Sequence, residues 1–353
     1  MLKYVPLSLL LIFLYACSAS QPEIEVVCEE IGDFEYLIKW ELFPKITTGT
    51  VKIYRSTHPD NFDTTAEPLA ECPVSDQALR IKTGRNLERA CFLVRFFDKY
   101  DVITAARTPK MGNVQNFRDI GGYRNSSQKY IRWGMIYRSG QLNTADESGI
   151  KRLNAMGVRT LIDFRNPETF RMPPQTWHLD NIINLPISLP GETALCQKIK
   201  DNELRRGDAV IFMQDMNVGL SEKAQNAYRS MFNQLIVEDN YPVVISSNLG
   251  KDDVGLAVAL IMEALEMPEE VILGDYLLSN SCINKRTVYS NCDKYPVHVQ
   301  EAITTLLSAD ERYLSCGIDN IIRTYGSVAK YLETELGVTP EKRSKLRQIL
   351  LRN

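Results

Sequence analysis

The sequence predicts two units, an all-β domain followed by an α/β domain with a largely parallel central sheet flanked by helices. Residues 22 to about 108 alternate between short apolar strands and turn residues, as antiparallel domains do. Beyond residue 112, apolar strands alternate with amphipathic helices. One strand–turn–helix segment of this second unit, Tyr241 to Leu265, also has the features of a binding site.

The composition is that of a soluble globular protein with room for two cores. Of 353 residues, 44% are hydrophobic and 24% are charged. A net charge of −3 and the lack of a basic tract give no reason to expect nucleic acid as a partner. The three histidines are not spaced with other ligand types as a metal site requires. We therefore expect no metal and no cofactor.

Residues 1–17 are predicted to be a lipoprotein signal peptide. Lys3 supplies a positive charge, and Leu7 to Leu14 form an apolar run too short to span a bilayer. Residues 14–17 read Leu-Tyr-Ala-Cys, which resembles a bacterial lipobox, whose cysteine is lipidated and becomes the new N-terminus. An ordinary signal peptide, cut after Ala16 or Ala19, is the alternative. Either way we expect export, and the lipobox implies anchoring at the bacterial cell envelope through the lipid alone.

Export would place the other seven cysteines where disulfides persist. An odd number leaves at least one thiol free or paired between chains. Cys282 and Cys292 are a possible pair because they are close in sequence, but spacing does not fix connectivity.

The first unit is predicted to be a small antiparallel sandwich. Alternate residues from Tyr36 to Trp40, and again from Phe92 to Phe96, place large apolar side chains on one face. The tryptophan that ends the second strand, and the Val-x-Ile-Tyr strand after it, resemble a fibronectin type III domain. Trp40 is expected in the core. The six predicted strands are Glu23–Cys28, Tyr36–Leu42, Thr50–Arg55, Leu79–Lys82, Ala90–Phe97 and Val102–Ala106.

Arg107 to Gly112 are predicted to link a domain of residues 22–108 to one of residues 113–353. In the second domain the pattern predicts a helix from Asp146 to Met156, a strand from Val158 to Phe164 and a helix from Ser221 to Val237.

The segment from Tyr241 to Leu265 predicts an anion-binding loop. A short β-branched strand is followed by a glycine-containing turn and then by a helix that begins near Asp252. This arrangement aims backbone N–H groups and the positive end of the helix dipole at one point. The residues of the loop are Ser246, Ser247, Asn248, Leu249, Gly250, Lys251, Asp252, Asp253, Val254 and Gly255.

The loop resembles the phosphate loop of the bacterial tyrosine/serine branch of cysteine-dependent tyrosine phosphatases, which reads H-C-x-x-G-K-D-R-T-G. Gly250, Lys251, Asp252 and Gly255 match that motif. Four positions depart from it. The family's His is Ser246, its nucleophilic Cys is Ser247, its phosphate-gripping Arg is Asp253 and its Thr is Val254.

The resemblance covers about Asn113 to Leu351 and implies a tyrosine-phosphatase-like fold. Residues 116–122 match the branch's N-F-R-D-[LI]-G-G signature, and residues 133–140 and 163–168 match two further blocks. The charged residues of these blocks are expected to lie around or beneath the loop, mostly as an ion-pair network. Asp163 and Arg165 follow a strand and are the best candidates to face a pocket. The set is Arg118, Asp119, Arg138, Asp163, Arg165 and Glu168.

Leu189 to Gly219 correspond to the region that forms a mobile helical lid in this branch. A loop-rich insertion with a few buried methionines is the alternative.

The departures in the loop predict a pseudophosphatase, a binding or scaffold module without turnover. Ser247 lacks the acidity of a cysteine thiol. Loss of an arginine clamp alone costs on the order of 10³–10⁵ in rate. Asp253 would add repulsion of roughly 3 kcal/mol for each pair of like unit charges at ~5 Å and an effective dielectric of ~20. Lys251 could offset part of this repulsion. Asp253 could also occupy the anion cradle itself, and both aspartates suit the first turn of a helix.

An enzyme is the alternative, either a weak phosphomonoesterase or one repurposed to other chemistry through Ser247, with Lys251 as base. The sequence does not identify the ligand, which could be a protein or a small molecule.

We expect mass spectrometry of the mature N-terminus to find a lipidated Cys17, because residues 14–17 place that cysteine directly after the apolar run. An unmodified N-terminus that begins downstream of Cys17 would contradict the lipoprotein assignment and support the ordinary signal peptide.

Overall fold

The computed structural model describes residues 22–84 and 88–352. The predicted signal peptide and Cys17 lie outside the described residues. Among the helices of these two ranges, none combines the length and the apolar character that crossing a bilayer requires.

The first unit consists of antiparallel strands. All six predicted strands are present, with bounds within a few residues of the prediction. A further strand of four residues was missed because Cys72 and Pro73 leave it little apolar alternation. The strands are β1 (Glu23–Gly32), β2 (Glu35–Phe43), β3 (Thr50–Ser56), β4 (Ala70–Pro73), β5 (Ala78–Lys82), β6 (Cys91–Phe96) and β7 (Tyr100–Ala105).

These strands form two sheets around one apolar cluster. One sheet has the order β1-β2-β5 and the other the order β4-β3-β6-β7. Tyr36, Ile38 and Trp40 of β2 lie in the same buried cluster as Phe92 and Phe96 of β6. The Nε1 of Trp40 donates to the carbonyl of Val74 at 2.9 Å, so the indole is both buried and satisfied. Trp40 is therefore a core residue, as predicted.

The second unit is mixed α/β. Its strands are β8 (Arg118–Asp119), β9 (Tyr130–Ile131), β10 (Ile136–Ser139), β11 (Thr160–Asp163), β12 (Asn181–Asn184), β13 (Val243–Ser246) and β14 (Leu351–Arg352). Its helices are α1 (Glu147–Ala155), α2 (Glu192–Lys200), α3 (Arg206–Lys223), α4 (Gln225–Leu235), α5 (Asp253–Ala264), α6 (Glu269–Leu277), α7 (Ser279–Cys282), α8 (Lys285–Val288), α9 (Val297–Leu306), α10 (Glu311–Tyr325), α11 (Val328–Thr334) and α12 (Pro340–Leu350).

The central sheet has the order β12-β11-β13-β10-β8. The first four strands are parallel, and β8 pairs antiparallel with β10. β13 lies between β11 and β10, and all four of its residues are buried. The apolar helix α5 follows directly from it and is buried along most of its length. The predicted strand–turn–helix segment therefore occupies the centre of the domain.

The segment from Leu189 to Gly219 is mainly helical, through α2 and α3, and α3 packs against α9 and α10. The segment is therefore helical rather than loop-rich, and its role as a lid stays a prediction. The predicted helix from Ser221 to Val237 is wrong at its start, since Ser221 belongs to α3 and α4 begins at Gln225. Ser221 faces α10, where its hydroxyl accepts from Nδ2 of Asn320 at 2.8 Å.

The two units meet through buried charges. Arg89 of the first unit pairs with Asp119 at 2.5 Å, donates to the Tyr137 hydroxyl at 2.8 Å and stacks on the ring of Trp133. Arg107 lies 3.7 Å from the ring of Tyr123 and donates to backbone carbonyls of the second unit. The predicted linker is therefore packed against the second unit at its start.

We expect Arg89→Met to destabilise the protein by roughly 3 kcal/mol, because it leaves the carboxylate of Asp119 buried without its cation. Arg95→Met is the control, since Arg95 pairs with the partly exposed Asp101 and should cost less than about 1 kcal/mol. Chemical denaturation measures both changes. Equal losses would mean that the Arg89–Asp119 pair does not hold the units together.

Candidate functional site

The loop from Ser246 to Gly255 joins the central strand to its helix by a tight turn. The φ of Gly250 is 62°, and a Cβ there would lie 2.2 Å from the carbonyl oxygen of Ser139. Only glycine fits this position. The Ser246 hydroxyl donates to the carbonyl of Gly140 at 2.9 Å, which fixes the start of the loop to the end of β10.

The carbonyl groups of the loop are held from beneath. Nδ2 of Asn116 donates to the carbonyls of Leu249 and Gly250 at 2.8 and 2.9 Å. Arg138 donates to the carbonyl of Gly250 at 2.8 Å. Because C=O and N–H point in opposite directions across a trans peptide, the N–H groups that follow these carbonyls are turned away from Asn116 and Arg138. The loop therefore keeps the form of an anion cradle.

A buried carboxylate organises the residues beneath the loop. Asp275 of α6 pairs with Arg118 at 3.2 Å and with Arg138 at 2.5 Å, and all three side chains are almost fully buried. Burial by itself raises the pKa of Asp275, but the two guanidinium groups outweigh it and hold that pKa well below its usual range. Burial and the neighbouring Arg118 lower the pKa of Arg138 to about 10. Two cations and one anion leave a net positive charge under the loop.

Ser247 stands at the base of the cradle. Its side chain is buried, and its hydroxyl oxygen accepts from the N–H of Gly250 at 3.2 Å. Asn248 is exposed and Leu249 is half-buried, so these two form the outer edge of the turn. Val254 lies in the main core, and Gly255 packs against the ring of Tyr276.

Lys251 and the two aspartates have different environments. Lys251 is buried, and its Nζ pairs with Asp252 at 2.8 Å. The Tyr276 hydroxyl lies 3.4 Å from the same carboxylate. Asp253 is partly exposed at the start of α5, and the Tyr228 hydroxyl donates to its carbonyl at 3.0 Å. Lys251 therefore pairs with Asp252 and not with Asp253.

The pKa of Asp253 is raised to about 7. Burial is the main cause and Asp252 is the next, while Glu192 of α2 raises it further and Lys251 lowers it. In the described residues, no ion pair of the Asp253 carboxyl is found within 4.0 Å. The Asp253 carboxyl group, with its raised pKa, stands at the position where the phosphatase motif has arginine.

Five of the six charged residues predicted around the loop lie in buried ion pairs, as expected for a network, and the exception is Glu168. Asp163 and Arg165 were expected to face a pocket, but they pair with each other at 2.9 Å and are buried. They are two residues apart in an extended stretch, so their side chains share one face. Asp119 faces the first unit through Arg89, and Glu168 is exposed at the surface. Of the six charged residues, Arg118 and Arg138 lie beneath the loop.

Two residues of the site were missed as functional positions, Asn116 and Asp275. Asn116 stood in a recognised motif but was given no role. Asp275 lies on the buried face of α6 with Ile272 and Tyr276. A carboxylate at this spacing among apolar residues is a signal of a buried ion pair, since an unpaired buried charge is costly.

Within the described residues, no group of three or more His, Cys, Asp or Glu side chains is placed to hold a metal ion. The seven cysteines that follow Cys17 have free thiols, so the possible Cys282–Cys292 bond is absent from this structure.

The comparisons with known proteins find similarity to named phosphatases. The triple specificity protein phosphatase PtpB of Mycobacterium tuberculosis is 24% identical over 271 residues, covering 67% of this chain and 96% of that protein. A putative tyrosine-protein phosphatase of Cupriavidus necator is 26% identical over 239 residues, covering 64% of this chain and 82% of that protein.

The solved core catalytic domain of the PP-IP phosphatase SIW14 from S. cerevisiae, in complex with citrate, aligns with 62% of this chain and 96% of its own. Its TM-score of 0.30 and identity of 13% are too low to carry an argument. The tyrosine phosphatase family matches residues 109–352, which is more than half of the chain and includes the whole loop and its supporting residues. This chain therefore belongs to the tyrosine phosphatase family.

Proposed function

We propose that the protein is a pseudophosphatase, a module that binds a ligand at the loop without hydrolysing a phosphoester. One observation carries the proposal. The cradle keeps its supports, Asn116 and Arg138, while the two positions that perform the family's chemistry hold Ser247 and Asp253. The residues that hold the loop in shape are thus different from the residues at the family's catalytic positions.

The loss at Ser247 concerns the nucleophile. Cysteine phosphatases use a thiolate, whose pKa is lowered by the helix end and the loop N–H groups. A serine hydroxyl remains protonated in the same surroundings and needs a base. The Ser247 hydroxyl oxygen accepts a hydrogen bond from the backbone N–H of Gly250. A backbone N–H is a donor, so it cannot take the hydroxyl proton as a base would.

The change at Asp253 concerns the transition state. An arginine fork at this position would bind two phosphate oxygens as their charge shifts. A carboxylate has the opposite charge, and Glu192 lies near enough to add to its field. Deprotonated Asp253 therefore opposes a phosphate dianion in both the ground state and the transition state.

A repurposed hydrolase is the second candidate. It would need Lys251 as base for Ser247, as in Ser–Lys enzymes. The Nζ of Lys251 pairs with Asp252 at 2.8 Å, and in the described residues it makes no hydrogen bond to the Ser247 hydroxyl. This pairing supports the binding module over the hydrolase.

For the whole chain we propose an envelope-anchored lipoprotein. It would comprise the signal peptide of residues 1–17, a fibronectin type III-like domain of residues 22–108 and the phosphatase-like domain of residues 113–353. The common core of the two N-terminal sheets supports the middle assignment. The partner is a protein or a small molecule, and the lipid is the proposed contact with the membrane.

We expect Asp253→Asn to stabilise the protein in a pH-dependent way. An aspartate has a pKa of about 3.9 when unfolded. Because its folded pKa is about 7, the folded state holds the proton more tightly, and stability falls as the pH rises from about 4 to about 7. The variant lacks this penalty, which solvent screening of the partly exposed carboxyl group reduces, and should gain on the order of 1 kcal/mol at pH 8 but little at pH 4.

Thermal unfolding at several pH values measures this difference. Glu168→Gln is the control, because it removes the same charge from an exposed position. A gain that is equal at pH 4 and pH 8, or that the control reproduces, would contradict the raised pKa of Asp253 and its cost to stability at high pH.

We expect the natural protein to release no phosphate from p-nitrophenyl phosphate above background. Ser247→Cys alone should remain inactive, because Asp253 still repels the dianion and raises the thiol pKa. Asp253→Arg alone should gain phosphate affinity without turnover, since the N–H cradle persists. Measurable turnover is expected only when both changes are combined, because the clamp alone accounts for about 10³–10⁵ in rate.

Ser344→Ala serves as a control, since Ser344 is exposed on α12. Robust hydrolysis by the natural protein that Ser247→Ala abolishes and Ser344→Ala preserves would refute the pseudophosphatase and make Ser247 a nucleophile.

A further inference from the structure

The floor of the loop is electropositive. Arg118 and Arg138 face a single carboxylate, Asp275, so the buried network beneath the loop keeps one net positive charge. The N–H groups of Lys251 and Asp252 donate no hydrogen bond within the described chain and follow carbonyls that point down to Arg138. The start of α5 adds its own partial positive charge. An anionic group is the ligand that this floor fits.

The rim of the loop is electronegative. The loop's own cation does not serve Asp253, because Lys251 is engaged by Asp252. Glu192, the first residue of α2, has the same sign and lies near enough to raise the pKa of Asp253. Asp275 and Asp163, in contrast to Asp253, are each paired with an arginine. A cationic group is the ligand that this rim fits.

Neither a simple anion nor a simple cation satisfies both the positive floor and the negative rim. A phosphate dianion on the floor meets Asp253 at the position where the family places arginine, and the repulsion grows as Asp253 loses its proton. A lone cation beside Asp253 leaves the floor N–H groups and the net positive charge beneath them without an anion. A ligand that carries both charges a few bonds apart meets both requirements.

We propose that the loop binds a zwitterion, a small molecule or terminal group in which a phosphate-type anion lies close to an ammonium-type cation. The anionic group occupies the N–H cradle above Arg138, and the cationic group lies against Asp253 with Glu192 nearby. This assignment rests on the proposed binding function and specifies its ligand class. Asp253 becomes a specificity-determining residue in the place of a catalytic arginine.

A matched pair of ligands tests the proposal. Propyl phosphate and 2-aminoethyl phosphate have almost the same size, and only the second carries an ammonium group. Calorimetric titration of the full chain at pH 8 should show that 2-aminoethyl phosphate binds roughly tenfold more tightly, as expected for a partly exposed charge pair. Asp253→Asn should reduce this preference to less than about twofold and should strengthen the binding of propyl phosphate.

Glu168→Gln is the control for the loss of one negative charge, and it should keep the tenfold preference because in the described residues the exposed Glu168 side chain makes no hydrogen bond or ion pair with the loop. Equal binding of the two ligands by the natural chain, or a preference that survives Asp253→Asn, would overturn the zwitterion assignment alone. Release of inorganic phosphate in the same samples would instead overturn the pseudophosphatase. Binding of neither ligand by the natural chain or by the Asp253→Asn variant would overturn both.

Discussion

The buried pairing of Asp275 with Arg118 and Arg138 is the interaction on which the site depends. It joins α6 to two strands of the central sheet, and Arg138 continues upward to the carbonyl of Gly250. Removing the carboxylate would leave two guanidinium groups buried without a counter-charge, at a cost of several kcal/mol. The loop conformation is therefore tied to the stability of the domain. Folding of the domain needs this network whether or not the loop is catalytic.

The same two strands also carry the contact between the units. Arg118 is paired with Arg138 across β8 and β10, and Asp119 is paired with Tyr137 at the next position. Because successive side chains point to opposite faces of a strand, the arginines face the loop while Asp119 and Tyr137 face Arg89 of the first unit. The first unit thus supports, from the opposite face, the strands that hold the loop.

The sequence predicted the strands and helices of this architecture better than the ion pairs between its side chains. Local patterns were sufficient for the strand–turn–helix at Ser247, because a β-branched run, a required glycine and an apolar helix are adjacent in the chain. The role of Asp275 was missed, since Arg118 lies 157 residues away and leaves no local trace of the pairing. Asp163 and Arg165 were assigned to a pocket from their place at a strand end, but two like-facing, oppositely charged side chains pair with each other first. Charge partners, unlike periodicity, depend on tertiary contacts.

The floor and the rim of the loop are built by different groups, so residues of the rim can change while the floor keeps its shape. The floor is made by backbone groups whose carbonyls are held by the buried side chains of Asn116 and Arg138, and neither Ser247 nor Asp253 takes part in these contacts. The rim is made by side chains on the first turn of α5 and on α2, where a change of charge costs little in folding compared with the buried network. Lys251 is withdrawn into a pair with Asp252, which leaves Asp253 to determine the sign of the rim. Ligand choice at this loop is therefore decided by one partly exposed carboxyl group, while its shape is decided by the buried network beneath it.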